Sequence, residues 1–219
     1  MMTAQRIALV VMAFIPAVAG ADKPEAPLTL PASLKGKAEV VAPADPDYAR
    51  ADAAGAIKPA GEGGISQALV VRLTADVPIW RMWNGPTKKD ARGNTNRMGQ
   101  WWSYDAPRGP VDNYRKAYEI CVAWNDLVWM AQCTLKKGAV VAIGPGQSVS
   151  AKTCGDSTDK ETYAENPKDW QVWISKSWTR SGPGKEMACE ETFDYEVSQA
   201  DIGKSKTGTK AQTIKDAPK

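Results

Sequence analysis

Three short runs hold the residues best suited to chemistry: Ile79-Trp80-Arg81-Met82-Trp83-Asn84-Gly85-Pro86, Arg97 to Pro107 with Trp101-Trp102-Ser103 at its centre, and Asn166-Pro167-Lys168-Asp169-Trp170-Gln171-Val172-Trp173. On a pleated strand Trp80 and Met82 face one side and Arg81 and Trp83 the other. An Arg set among aromatics can fork onto a phosphate or carboxylate while a ring stacks on a flat ligand, or it can simply cover a Trp face. The same alternation puts Trp101 and Ser103 on one face and Trp102 on the other, so that one Trp serves the core while its neighbour lines a cleft for a nicotinamide, nucleotide or sugar ring. Asp169 and Gln171, two apart, share a face. They could hold a ribose hydroxyl, orient a nucleophile, or form the solvent face of an amphipathic strand. A fourth run, Gly144-Pro145-Gly146-Gln147-Ser148, reads as a turn after an apolar strand. It lacks the Gly-Lys-Ser/Thr ending and the following helix of a phosphate loop.

The residue types present narrow the chemistry further. The 219-residue chain has nine tryptophans and no histidine, and every Trp lies between Trp80 and Trp178. Ser-His and Cys-His nucleophilic pairs, a His general base and His-containing zinc sites are therefore excluded. Arg, carboxylate, amide and hydroxyl groups remain.

Residues 1–21 have the form of a secretory signal: Arg6, the apolar run Ile7 to Ile15, and small residues at Ala17-Val18-Ala19 or Ala19-Gly20-Ala21. The apolar run is shorter than the roughly 18 residues a membrane span needs. The expected location is exported, periplasmic or secreted. Cys121, Cys133, Cys154 and Cys189 fit an oxidising compartment and two disulfides, with three pairings open and no CxxC knuckle for a metal. Residues 22–64, rich in Ala, Pro, Gly and Lys, read as a flexible lead-in. Residues 198–219 read as a Lys-rich disordered tail. Between them, 65–197 has the length of one ordinary domain. The formal charge of +3 is small and the tail accounts for it, which gives nucleic-acid binding little support.

Strand signals fall on 68–73, 79–83, 139–143 and 170–174. Val111 to Tyr118, after Pro110, opens a helix presenting Tyr114, Ala117 and Tyr118 on one side. For Ile120 to Leu135 periodicity leaves strand and helix open. The expected fold class is α+β: one compact, disulfide-stabilised domain with a mostly antiparallel sheet, flanked by disordered segments.

Taken in order, the Arg on an early strand, the aromatic-aromatic-Ser strand leading to a Tyr-bearing helix and the acid-x-amide pair before a Val-x-Ile strand resemble the Arg-Ser-Glu class of bacterial ADP-ribosyltransferase toxins, over roughly Val77 to Ile174. The resemblance implies NAD as co-substrate and no metal. It implies Arg81 on the dinucleotide phosphates, Trp101, Trp102 and Ser103 around the nicotinamide, and catalytic positions at Gln171 and Asp169. The family's final Glu is Gln171 here. A neutral amide can bond a ribose hydroxyl but offers no charge to an oxocarbenium-like centre, so Asp169, Glu165 or Glu161 would have to serve. The implied partners are a dinucleotide and an acceptor macromolecule, and the activity either ADP-ribosyl transfer or NAD hydrolysis. A second class is open: a non-enzymatic, Trp-rich binding module for a glycan, a cell-envelope component or a protein. A glycoside hydrolase would need a carboxylate pair that the sequence does not place.

Overall fold

The computed structural model describes residues 27–189 and the backbone of 195–196. The predicted signal (1–21) and tail (198–219) lie outside the described residues. A single sheet organises the fold: β1 (Ala38–Val40), β2 (Leu69–Leu73), β3 (Val77–Trp83), β4 (Trp101–Ser103), β5 (Trp129–Leu135), β6 (Val140–Gly146), β7 (Asn166–Trp173), β8 (Met187–Cys189) and β9 (Tyr195–Glu196). The spatial order is β1-β2-β6-β7-β4-β3-β5-β8, with β9 also on β5, and every pairing between these strands is antiparallel. Few helices accompany it among the described residues: α1 (Ala53–Ala56), α2 (Val111–Ala117), α3 (Ala151–Cys154), α4 (Ser177–Arg180) and two short 3-10 turns. The expected α+β, disulfide-stabilised, antiparallel domain is what the chain forms. No described helix is long and apolar enough to cross a membrane.

β6 shows why one sheet can carry two cores. All seven of its residues are buried, and alternation sends Val141 and Ile143 to one apolar cluster and Val140 and Ala142 to another. The first cluster joins β2, β3, β5 and β6 through Val71, Leu73, Val77, Ile79 and Leu135. The second is closed by Val41, Ala51, Ala53 and Ala56. That closure corrects the expectation of a flexible 22–64 segment. From residue 27 onward this stretch carries β1, registered Ala38 on Leu73 and Val40 on Val71, and a turn of helix laid flat on the sheet. Alanine-rich composition reads as too poor in apolar surface to order. Here the small side chains let backbone sit directly on β2 and β6.

The Gly144-Pro145-Gly146 run is also corrected: it continues β6, paired with β7, and is no turn. Each glycine makes room for a close approach. A Cβ on Gly144 would lie 1.9 Å from the Gln67 carbonyl oxygen, and one on Gly146 would lie 2.0 Å from a Glu119 carboxyl oxygen. The helix expected at Val111 to Tyr118 forms as α2, and the undecided Ile120–Leu135 stretch becomes turns followed by β5. The cysteines pair as Cys121–Cys154 and Cys133–Cys189. The second joins directly opposed residues of β5 and β8.

Candidate functional site

Strands β3, β4 and β7 lie side by side, with Trp80 opposite Ser103 and Ser103 opposite Gln171. This register brings together three runs far apart in sequence. At their meeting point a cavity of about 150 Å³ is bordered by Arg81, Trp101, Trp102 and Gln171, together with Tyr114, Tyr118 and Glu119 from α2 and its exit, and Trp124 and Asn125 from the loop beyond.

Arg81 is held rigidly. Its Nε donates to the Asn96 carbonyl at 3.1 Å and its Nη1 to the Trp101 carbonyl at 2.7 Å. The guanidinium lies flat against Gly99, where a Cβ would come within 2.2 Å of Nη2. No carboxylate pairs with it among the described residues, and desolvation lowers its pKa to about 10. Nη2 makes no hydrogen bond within the described protein and remains available. Trp102 donates its ring N–H to the Gly99 carbonyl at 2.7 Å, and Trp101 packs on Trp173 at a centroid distance of 4.6 Å.

Ser103 does not border the cavity. It is wholly buried, with its hydroxyl 2.9 Å from the Asp105 carbonyl. The same hydroxyl lies 3.3 Å from the Trp80 carbonyl, while Tyr114 and Tyr118 border the cavity. Asp169 is likewise set aside: its Oδ2 accepts from Asn166 at 2.8 Å. Of the expected pair only Gln171 reaches the cavity. Its Nε2 donates to the Glu119 carboxyl at 2.9 Å and to the Gly64 carbonyl at 3.2 Å. Glu161 accepts from Val122 N–H and the Tyr163 hydroxyl, beside the Cys121–Cys154 bridge. Those two sulfurs and Glu161 cluster within ligand distance of one another, but disulfide sulfurs are no thiolates and cannot form the usual metal site.

The acid that sequence reasoning missed is Glu119. It follows α2 in the left-handed conformation, φ 48°, which turns its side chain inward to 1% exposure. Arg115 braces this turn by donating to the Ile120 and Asn125 carbonyls, both at 3.0 Å. Burial pushes the Glu119 carboxyl up to about 9; Gln171 opposes that shift, and the negative charges of Asp169 and Glu165 reinforce it. Oε2 accepts from Gln171, whereas Oε1 is buried without a partner. The sequence signal was slight: one acid in the run Tyr118-Glu119-Ile120-Cys121, where every neighbour favours burial.

No protein-family model matches the chain, and neither a curated protein nor a solved structure is significantly similar to it.

Proposed function

We propose that this chain is an exported, ADP-ribosyltransferase-like protein that binds the nicotinamide end of NAD in the Arg81–Glu119 cavity. The observation that carries the reading is the convergence of Arg81, Trp101, Trp102 and Gln171, three separate sequence runs, on one cavity. Two disulfides suit an oxidising compartment, in keeping with export. Arg81 Nη2 would meet a phosphate oxygen, and the tryptophans would wall the ring. Gln171 would orient the ribose, a part in which Asp169 drops out. Cavities of about this size accept a single aromatic ring, so the adenosine half would lie outside.

In the reaction the bond from ribose C1 to the nicotinamide nitrogen breaks, and its electron pair leaves with nicotinamide. An acceptor nucleophile, or water, attacks C1 and gives up its proton. The positive charge gathering at C1 needs a nearby anion. Gln171 cannot supply it, and Glu119 beside it can: a cation within a few ångströms favours the ionised carboxylate and draws its proton away to solvent. The test is nicotinamide release from NAD by the oxidised protein, beside Arg81→Ala and Glu119→Gln with their folds checked by circular dichroism. Each variant should lower release by about a hundredfold or more, the scale of losing one charge-stabilising group. Absence of both release and calorimetric NAD binding in the wild type would end this reading.

A second reading has its own observation. Trp124 borders the cavity yet is 43% exposed, and Trp178 is 56% exposed. Exposed indole faces suit a sugar, so a non-enzymatic glycan-binding module would lose affinity on Trp124→Ala and show no response to NAD.

A further inference from the structure

Two polar groups of the cavity lack what they need. Glu119 Oε1 is buried without any hydrogen-bond partner, while the other oxygen of the same carboxyl accepts from Gln171. Arg81 is a desolvated cation with no carboxylate beside it and with Nη2 unused. The orphaned Oε1 carries the full cost of desolvation, and Glu119 and Arg81 both border one cavity of single-ring size with aromatic walls. Glu119 and Arg81 do not neutralise each other. Each is left for something else.

We propose that this cavity binds a free aromatic carboxylate, one ring bearing one carboxylate group, held between the Arg81 guanidinium and the Glu119 carboxyl. The assignment goes beyond NAD binding and does not need it: such a ligand would occupy the ring site alone and compete with the dinucleotide. With Glu119 protonated, Oε2 is the carbonyl that accepts from Gln171, and Oε1 carries the proton with nothing in the protein to receive it. A ligand carboxylate supplies that acceptor on one side and a charge for Nη2 on the other. Tyr114, Tyr118, Trp101 and Trp102 offer ring faces and edges for the apolar body.

The titratable groups facing Glu119 are Asp169 and Glu165, which lie on or just before β7; Gln171 on β7 and Gly146 on β6 are neutral. Arg81 and the two tyrosines border the same space, and burial raises both phenols above the ordinary tyrosine value. Raising the pH through about 9 therefore turns Glu119 from donor into anion. The glutamine of Glu119→Gln keeps a donor and an acceptor at every pH.

The experiment is calorimetric titration of benzoate and, separately, benzamide into the oxidised full chain at pH 7 and pH 10, with wild type and Glu119→Gln. Benzoate should bind wild type at pH 7 about tenfold more tightly than benzamide, because only the anion meets Arg81 as a charge. Wild-type affinity should fall about tenfold by pH 10, one unit past the Glu119 midpoint, while Glu119→Gln keeps its pH 7 affinity to a much closer margin. Loss of the Arg81 charge would weaken both proteins equally, so the difference between them reads Glu119 alone. No benzoate binding at millimolar concentration, benzamide binding as tightly as benzoate, or matching pH profiles for the two proteins would each overturn the proposal. Benzoate binding without NAD turnover would leave this inference standing and the transferase reading fallen.

Discussion

Two arginines on strands consecutive in sequence but separated by three strands in the sheet are treated in opposite ways. Arg72, on β2, is surrounded by Glu39, Asp45 and Asp47, all at 3.0–3.1 Å. Its charge is fully answered, and its work is to pin the 27–64 segment to the sheet edge. Arg81, on β3, meets only backbone carbonyls and aromatic rings. The nearby acid, Glu119, is bonded to an amide and not to Arg81. A charge cluster that satisfies itself is structural, whereas a cation and an acid that border one cavity without pairing with each other are held ready for a ligand.

The two regions should therefore respond oppositely to mutation and to pH. The largest effect falls on Gly146. Its missing Cβ is the space in which the Glu119 carboxyl lies, so Gly146→Ala must push that group away from Gln171. Overpacking of this kind costs about 3 kcal/mol, which a urea titration reads directly. A loss under about 0.5 kcal/mol would mean the carboxyl is free to move, and the contrast with Arg72 would weaken.

Glu119→Gln should act in the other direction. The folded-state pKa, near 9, lies above the ordinary value of 4.5, so the native state binds the extra proton between those limits. Stability from that proton is complete below about pH 4.5 and is lost as pH rises toward 9. The uncharged glutamine escapes this loss, and the variant should be more stable than wild type at pH 8, with no difference near pH 4. Urea midpoints at the two pH values check it. Equal stability at pH 8 would mean that Glu119 is ionised in the native protein.

The legibility of these regions in the sequence differed for physical reasons. Strands β2, β3, β6 and β7 carry short runs rich in β-branched or aromatic residues, and such patterns are local. The Arg81, Trp101-Trp102 and Gln171 runs were readable as recognition chemistry, and register then brought them together. Ser103 was misplaced because alternation tells which face a residue takes, not whether a helix covers that face. Glu119 was hidden because its importance comes from a positive φ at the exit of α2 and from the missing side chain of Gly146, neither of which has a pattern. The 27–64 segment was misread because alanines that dock on a sheet look like alanines that do not.

The smallest effect belongs to the satisfied cluster. Asp47 is held below its ordinary value first by its hydrogen bond to Arg50 and then by Arg72. Asp45 is lowered first by the Asp47 backbone N–H and then by Arg72. A lowered carboxylate contributes stability above its unfolded value of 3.8 and loses it as pH falls through the folded value, the reverse of Glu119. Asp47→Asn should therefore lower the thermal midpoint slightly at pH 7 and by less near pH 2. High salt should erase even the pH 7 effect, because Asp47 and Arg72 remain in contact with solvent. Melts by circular dichroism at the two pH values, with and without about 1 M salt, would show it. A shift at pH 7 as large as that of Gly146→Ala would mean the Arg72 cluster is as costly to disturb as the cavity, and that pairing state does not separate a structural arginine from one kept for a ligand.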